Sequence, residues 1–300
     1  GKLHHRNTDD AVGFDFQALP MHVVDGVGDV LGCVREPLPR RWKALSMAED
    51  IGPGETNYNK YDRQVASEAV KWLKDTTNTR EPWVLFVSLV APHFPLIAPP
   101  KFYELYENLQ LMPSKPKPEP EHPWHEAMRN CQLMDNFTPE KTEIALKSYY
   151  ALVSFIDELI GNILKTLKSL ELEESTQIIY TSDHGDNIGE RNLWGKSNFY
   201  EESIGIPLII AGPNVPIGKV CQTPVSLVDI YPTILETAKL SVEPQKPGRS
   251  LSKIANEPDE NDRMIFAEYH AMGSKSGGFM IRKGYWKYMH YVGMRPQLFD

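Results

Sequence analysis

The sequence predicts an α/β protein, on three observations. Short apolar, β-rich runs at residues 83–90, 176–181 and 207–211 alternate with amphipathic stretches at helical spacing, the pattern of a sheet with helices on its faces. A composition of 41% hydrophobic and 24% charged residues sits at ordinary globular values, so neither a disordered nor a fibrous chain is needed. A length of 300 residues suits one large domain or one with a smaller companion, at roughly 100–200 residues per domain.

The elements follow in order. The first 60 residues are rich in Gly and Pro and lack periodicity apart from the apolar residues 23–32, so irregular chain over a surface is expected. From Tyr61, the residues Val65, Ala69, Trp72 and Leu73 form one apolar stripe on a helix ending near Thr76. Residues 83–90, Trp-Val-Leu-Phe-Val-Ser-Leu-Val between Pro82 and Pro92, read as a strand buried on both faces. Five prolines between Pro113 and Pro123 predict an extended surface loop. A helix is expected over about 139–170, with Thr138 as N-cap, Pro139 at its first position, and Ile144, Leu152, Phe155, Ile156, Leu159, Ile163, Leu164 and Leu167 on its buried face.

Residues 176–181 and 207–211 are the next strands, and 227–238 a further helix. After Glu243 the chain turns Pro- and Gly-rich, and then 264–269, 278–282 and 286–291 predict a small antiparallel sheet. The expected organisation is an α/β domain over 1–258 and a β subdomain over 259–300, with no internal repeat.

Charge narrows the partners. With 32 Lys+Arg against 40 Asp+Glu the net charge is -8, which argues against nucleic acid or an anionic membrane as main partner. No apolar run approaches the roughly 18 residues that a membrane-spanning helix needs. The three cysteines, Cys33, Cys131 and Cys221, form no Cys-x-x-Cys pair, which removes zinc-ribbon and thioredoxin-type readings. The ends, Gly-Lys-Leu-His-His without an initiator Met and Gln-Leu-Phe-Asp, both read as cut.

The sharpest local feature is residues 181–190, Thr-Ser-Asp-His-Gly-Asp-Asn-Ile-Gly-Glu, following a predicted strand. Ligands in open α/β sheets gather at the carboxyl ends of strands. Asp183 and His184 offer an oxygen and an imidazole nitrogen to one divalent cation, and Gly185 would let the chain turn sharply beneath it. The competing reading is a capping Asp beside a hydrogen-bonded loop His. Other donors lie at loop positions: Lys2 and His4 near the start, His93 just after the run 83–90, and Lys196 in Leu-Trp-Gly-Lys-Ser-Asn-Phe. If these converge, the pocket binds a tetrahedral oxyanion and stabilises charge on its leaving oxygen.

These blocks resemble a known family. Gly1-Lys-Leu-His4, Ala91-Pro-His-Phe-Pro95 and the run from Ser182 to Lys196 look like three successive blocks of the type I sulfatases, in the alkaline phosphatase superfamily. Ile206-Pro-Leu-Ile-Ile210, Ser226-Leu-Val-Asp-Ile-Tyr-Pro232 and Gln297-Leu-Phe-Asp300 are similar as well, so the resemblance spans nearly the whole chain. It implies an alkaline-phosphatase-like fold with a large mixed central sheet, and hydrolysis of a sulfate monoester, small-molecule or saccharide. It also implies that Asp183 and His184 ligate one divalent metal, calcium above all, with magnesium or manganese as alternatives. Lys2 and His4 would contact the nucleophile, while His93 and Lys196 would hold the sulfate and its bridging oxygen, either one protonating the leaving group.

The nucleophile is the departure. The family converts the Cys or Ser of Cys/Ser-x-Pro-x-Arg to formylglycine, and none of Cys33, Cys131 and Cys221 stands in that motif. The expected formylglycine and a pair of Asp metal ligands would therefore lie upstream, and these 300 residues alone are expected to be inactive. Asp-His rather than Asp-Asn, with Gly-Glu-Arg-Asn-Leu-Trp-Gly-Lys, looks closest to choline-sulfatase-like, iduronate-sulfatase-like and phosphonate-monoester-hydrolase-like members. A phosphonate or phosphodiester hydrolase, or a catalytically silent sulfatase-like protein, are the alternatives.

Other polar residues carry plainer expectations. His5 and His22 read as solvated loop histidines, Asp186 and Glu190 as turn and capping residues, and Asp229, His270 and His290 as structural. Trp124, between His122 and His125, is a candidate exposed face for the substrate's non-sulfate part, an ammonium head or a sugar ring.

Overall fold

A computed structural model describes residues 11–19, 34, 36–76 and 81–300. Seven α-helices and eight strands form among these residues. The spine is α4 (Pro139–Ser169), where Thr138 caps as expected: its side chain accepts from the Lys141 amide, and Pro139 needs no such partner. Its inner face buries Ala145, Ala151, Leu152, Phe155, Ile156, Leu159 and Leu167, whereas Ile144 and Leu164, expected on that face, are 37% and 38% exposed, since apolar spacing marks a stripe and not how far neighbouring elements cover it. Against that face lie α1 (Asn57–Thr76), α2 (Pro100–Tyr103) and a parallel pair, β1 (Ile51–Pro53) and β2 (Leu96–Ala98). The Ser148 hydroxyl at the middle of α4 accepts from the Gly52 amide at 2.9 Å, which ties β1 to the helix.

A second ladder, β3 (Ile178–Thr181) against β4 (Leu208–Ala211), is antiparallel. The α/β class holds. The described residues carry it as two two-stranded ladders rather than one large sheet. Residues 83–90 differ from expectation: they run extended without a ladder partner among the described residues. Val84 and Phe86 are half-exposed while their neighbours turn inward, because an apolar run is buried on both faces only where material covers both.

Several helices escaped the sequence reading or changed length, among them the short α2 and one single turn at Glu201–Ile204. α3 (Pro123–Gln132) was legible in Pro123 at a first helical position and Glu126 in the first turn, and its cap is the unexpected His122 side chain. α6 (Ile230–Thr237) follows a single 3-10 turn at Leu227–Asp229, and α7 (Leu251–Asn256) lies inside the stretch read as irregular.

The last element is an antiparallel sheet of four strands, β5 (Met264–Tyr269), β6 (Gly278–Lys283), β7 (Trp286–Tyr291) and β8 (Gln297–Phe299), one more than predicted. Alternation puts Met280, Met289 and Tyr291 inward, into the same apolar core as Trp124, Met128 and Phe199.

Trp124 therefore corrects an expectation. It is fully buried, its indole N–H donates to the Ser276 carbonyl at 3.1 Å, and its ring packs on Phe199 and Tyr291. The reason is amphipathicity: the helix start at Pro123 turns position 124 into the core, and the indole carries a large apolar area with one donor to satisfy. No substrate can rest on it. His125 beside it is equally enclosed, between the hydroxyls of Tyr200 and Tyr291 at 3.3 Å each. No helix among the described residues is long and apolar enough to cross a membrane.

Candidate active site

The site gathers where β3 ends. Beyond Thr181 the chain leaves the ladder, and Ser182, Asp183 and His184 form a tight local knot. The Ser182 hydroxyl donates to the His184 carbonyl at 2.7 Å, and the His184 amide donates to Asp183 Oδ1 at 3.1 Å. The Asp183 carboxylate is largely exposed and its Oδ2 lies 3.5 Å from His184 Nε2. On the other side of the ring, Nδ1 donates to the Gly185 carbonyl at 2.7 Å, which leaves Nε2 as the acceptor. Into that lone pair comes the Lys196 ammonium, at 2.5 Å.

Gly185 is required for a reason other than the one expected. A Cβ there would meet the Glu202 carbonyl oxygen at 2.1 Å, so the residue answers a close backbone approach rather than a sharp turn. Its amide donates to the Ser203 carbonyl at 2.8 Å, anchoring the knot to α5 (Glu201–Ile204).

His93 arrives from a distant part of the chain. Asp62, fully buried on α1, accepts from the amides of Val90 and Ala91 at 2.7 and 2.8 Å and so fixes the end of the extended run. Burial raises the Asp62 pKa, against the pull of those two amides. The chain then turns, the His93 amide donating to the Val90 carbonyl and its Nδ1 to the Phe94 carbonyl at 2.8 Å. Its ring stands 6.4 Å from that of His184, and Tyr58 at the start of α1 stands edge-on to it at the same distance. Asp62 was not singled out from the sequence. A lone Asp in an apolar helix stripe was its only signal.

Four of the expected site residues, His93, Asp183, His184 and Lys196, are thus brought together. Lys2 and His4, like His5, His22 and Cys33, lie outside the described residues. Among the described residues no group of three His, Cys, Asp or Glu side chains gathers to hold a metal. Glu190 faces away, accepting from the Ser114 and Lys115 amides at 2.9 and 2.6 Å and pinning the Pro-rich loop. Asp186 closes a turn on the Ile188 amide and also accepts from the Gly195 amide. Its carboxyl pKa is raised by burial, with those amides, His184 and Lys196 opposing.

A family model described as "Sulfatase" matches residues 36–240, and one described as "N-sulphoglucosamine sulphohydrolase, C-terminal" matches 189–300. The chain belongs to the sulfatase family. A choline-sulfatase of Rhizobium meliloti (strain 1021) is 32% identical to this sulfatase chain over 100% of it and 61% of the relative. Human arylsulfatase K is 31% identical over 80% of the chain and 50% of its own length. The chain therefore spans about half to three-fifths of the length of these curated relatives. Its fold is similar to that of the phosphonate monoester hydrolase SpPMH from Silicibacter pomeroyi, with a TM-score of 0.68 at 23% identity over 78% of this chain and 52% of the other. The alkaline-phosphatase-like α/β expectation is met by this likeness, and the C-terminal sheet falls within the second matched segment.

Proposed function

We propose that the protein containing this chain hydrolyses a sulfate monoester, R–O–SO3⁻ + H2O giving R–OH and hydrogen sulfate. The observation that carries this reading is the meeting of His184, Lys196 and His93, two imidazoles and an ammonium beside an exposed carboxylate. Breaking the ester O–S bond moves negative charge onto the bridging oxygen. A fixed ammonium stabilises that charge, and a neighbouring acid, Lys196 or His93, supplies the proton that makes R–OH leave. Both groups stand beside His184, the Lys196 ammonium 2.5 Å from its Nε2 and the His93 ring 6.4 Å from its ring, and this supports their acting on one sulfate ester.

Asp183 and His184 fit a divalent cation in donor chemistry, a carboxylate and an imidazole lone pair facing it at 3.5 Å. When bound, such an ion polarises the sulfuryl oxygens. Nε2 has one lone pair, so Lys196 must release it for His184 to ligate a cation. Calcium is the ion proposed, together with a formylglycine nucleophile on the part of the protein that carries the Cys/Ser-x-Pro-x-Arg motif. Lys2 and His4 are proposed to hold that nucleophile.

The named relatives suggest the ester: choline sulfate and aryl sulfates are the first to assay, saccharide sulfates the next. The test uses the full-length protein with sulfate monoesters, phosphonate monoesters and phosphodiesters in parallel. Sulfate turnover with one metal per chain, falling by about 10²-fold or more in Lys196→Ala, is the expected result. A preference for phosphodiesters, or two metals per chain, would overturn it.

A further inference from the structure

Lys196 reaches His184 from a loop with no regular structure, so something other than helix or sheet must set its main chain. It lies between two residues in left-handed conformation, Gly195 at φ +67 and Ser197 at φ +84, the second of them without glycine's freedom. The Gly195 amide donates to Asp186 Oδ1 at 3.0 Å. The Gly195 carbonyl, which belongs to the peptide joining Gly195 to Lys196, accepts twice from one residue: from the Asn187 amide at 2.7 Å and from Asn187 Nδ2 at 2.5 Å.

Asn187 is fully buried, and its remaining acceptor, Oδ1, takes a hydrogen bond from Asn198 Nδ2 at 3.2 Å. Asn198 is itself buried and its Oδ1 accepts from the Tyr200 amide at 3.0 Å. Beyond the lysine, the Ser197 hydroxyl meets the Tyr269 hydroxyl of β5 at 2.7 Å. The loop is therefore held on both sides of Lys196, and the plane of the peptide that leads into it is held by two donors of Asn187, its main-chain amide and its side chain.

We infer that Asn187 is a positioning residue for Lys196: its carboxamide orients the Gly195–Lys196 peptide so that the ammonium meets the bridging oxygen of the ester. This rests on the role proposed for Lys196 above. A carboxamide suits the place because it donates to the Gly195 carbonyl and accepts from Asn198 at once. An aliphatic side chain would leave the buried Asn198 carboxamide without this acceptor and the Gly195 carbonyl with the Asn187 amide alone.

The experiment takes the full-length protein and a series of aryl sulfates whose leaving groups differ in acidity. A misplaced ammonium matters most where the leaving oxygen is most basic. Asn187→Ala is expected to lower kcat by about 10- to 100-fold on the poorest leaving group, far less on the best, with KM changed by under about threefold. Lys196→Ala is expected to show the same bias, and the double variant to be no slower than Lys196→Ala. An Asn187→Ala loss that is uniform across leaving groups, or that repeats in full on the Lys196→Ala background, overturns the inference.

Should Asn187→Ala not fold, Asn198→Ala leaves Asn187 present but unsupported. It is expected to give a smaller loss with the same bias, and an unbiased loss there counts against the inference. A uniform profile for Lys196→Ala itself brings down the role of Lys196, and this inference with it. A biased Lys196→Ala beside an unbiased Asn187→Ala brings down this inference alone.

Discussion

Replacing Asp229 by Asn is expected to destabilise the protein almost as much as replacing it by Ala. Asp229 is fully buried at the 3-10 turn before α6, and each carboxylate oxygen accepts two hydrogen bonds. Oδ1 takes the Arg249 amide at 2.8 Å and Arg263 Nη2 at 2.7 Å. Oδ2 takes the Ser226 amide and Arg263 Nη1, both at 2.9 Å. In an Asn, whichever position carries the NH2 group faces one backbone N–H and one guanidinium N–H. Neither orientation satisfies the four donors.

Two charge-assisted bonds are lost or reversed and an arginine is left without its counter-ion, which costs about 3–5 kcal/mol where one partner of a buried pair is removed. That corresponds to a fall in Tm of roughly 5–8 °C for a chain of this size. The pair, with Arg263 just ahead of β5, joins the α6 region to the C-terminal sheet, so the loss is expected in urea midpoint as well as in Tm. Asp229→Ala with Arg263→Ala should lose less than the sum of the singles, by about 1–3 kcal/mol. An Asp229→Asn variant within about 1 kcal/mol of the parent, or strictly additive singles, would refute the reasoning.

Four further outcomes follow from single residues. Gly185→Ala forces a Cβ onto the Glu202 carbonyl and should cost about 2–4 kcal/mol in denaturant unfolding, whereas Gly161→Ala, in α4 with open space around it, should stabilise by roughly 0.5–1 kcal/mol. Trp124→Ala should cost about 3–5 kcal/mol by emptying a core site, and should change KM for sulfate esters little once the protein is folded. Burial lowers the His125 pKa from 6.5 to about 3, with His122, Arg129 and Arg191 adding to the shift. Between those values the unfolded chain binds the proton and the folded one does not, so stability is present above pH about 6.5 and falls by up to roughly 1.4 kcal/mol per pH unit as pH drops toward 3. In His125→Gln that component of the urea midpoint against pH should disappear.

The local rules read well from the chain. Thr138-Pro139 with an unbroken apolar stripe specified the long helix to within a residue, and alternation specified three strands of the C-terminal sheet. The run 83–90 was misjudged because its composition reports how apolar a segment is and not what lies against it. Trp124 was misjudged because Pro123 was read as the last of five prolines in an extended loop, whereas it is the first residue of α3.

In the site, the residue types and order in Ser-Asp-His-Gly and the lysine 12 places on were enough to point to an oxyanion and a cation, and to a family. What the sequence determined by itself was this short-range content: element types and the residue types of a candidate site. The tertiary structure decided which donors meet. His93 and His184 are 91 positions apart in sequence and come within 6.4 Å because Asp62 holds one turn and α5 the other. It also decided why Gly185 is a glycine and how Asn187 is engaged, since both depend on carbonyls, of Glu202 and Gly195, that close approach brings together. Periodicity and composition are properties of neighbours along the chain. Close approach and hydrogen-bond geometry are properties of neighbours in space, and those decided the arrangement of the site.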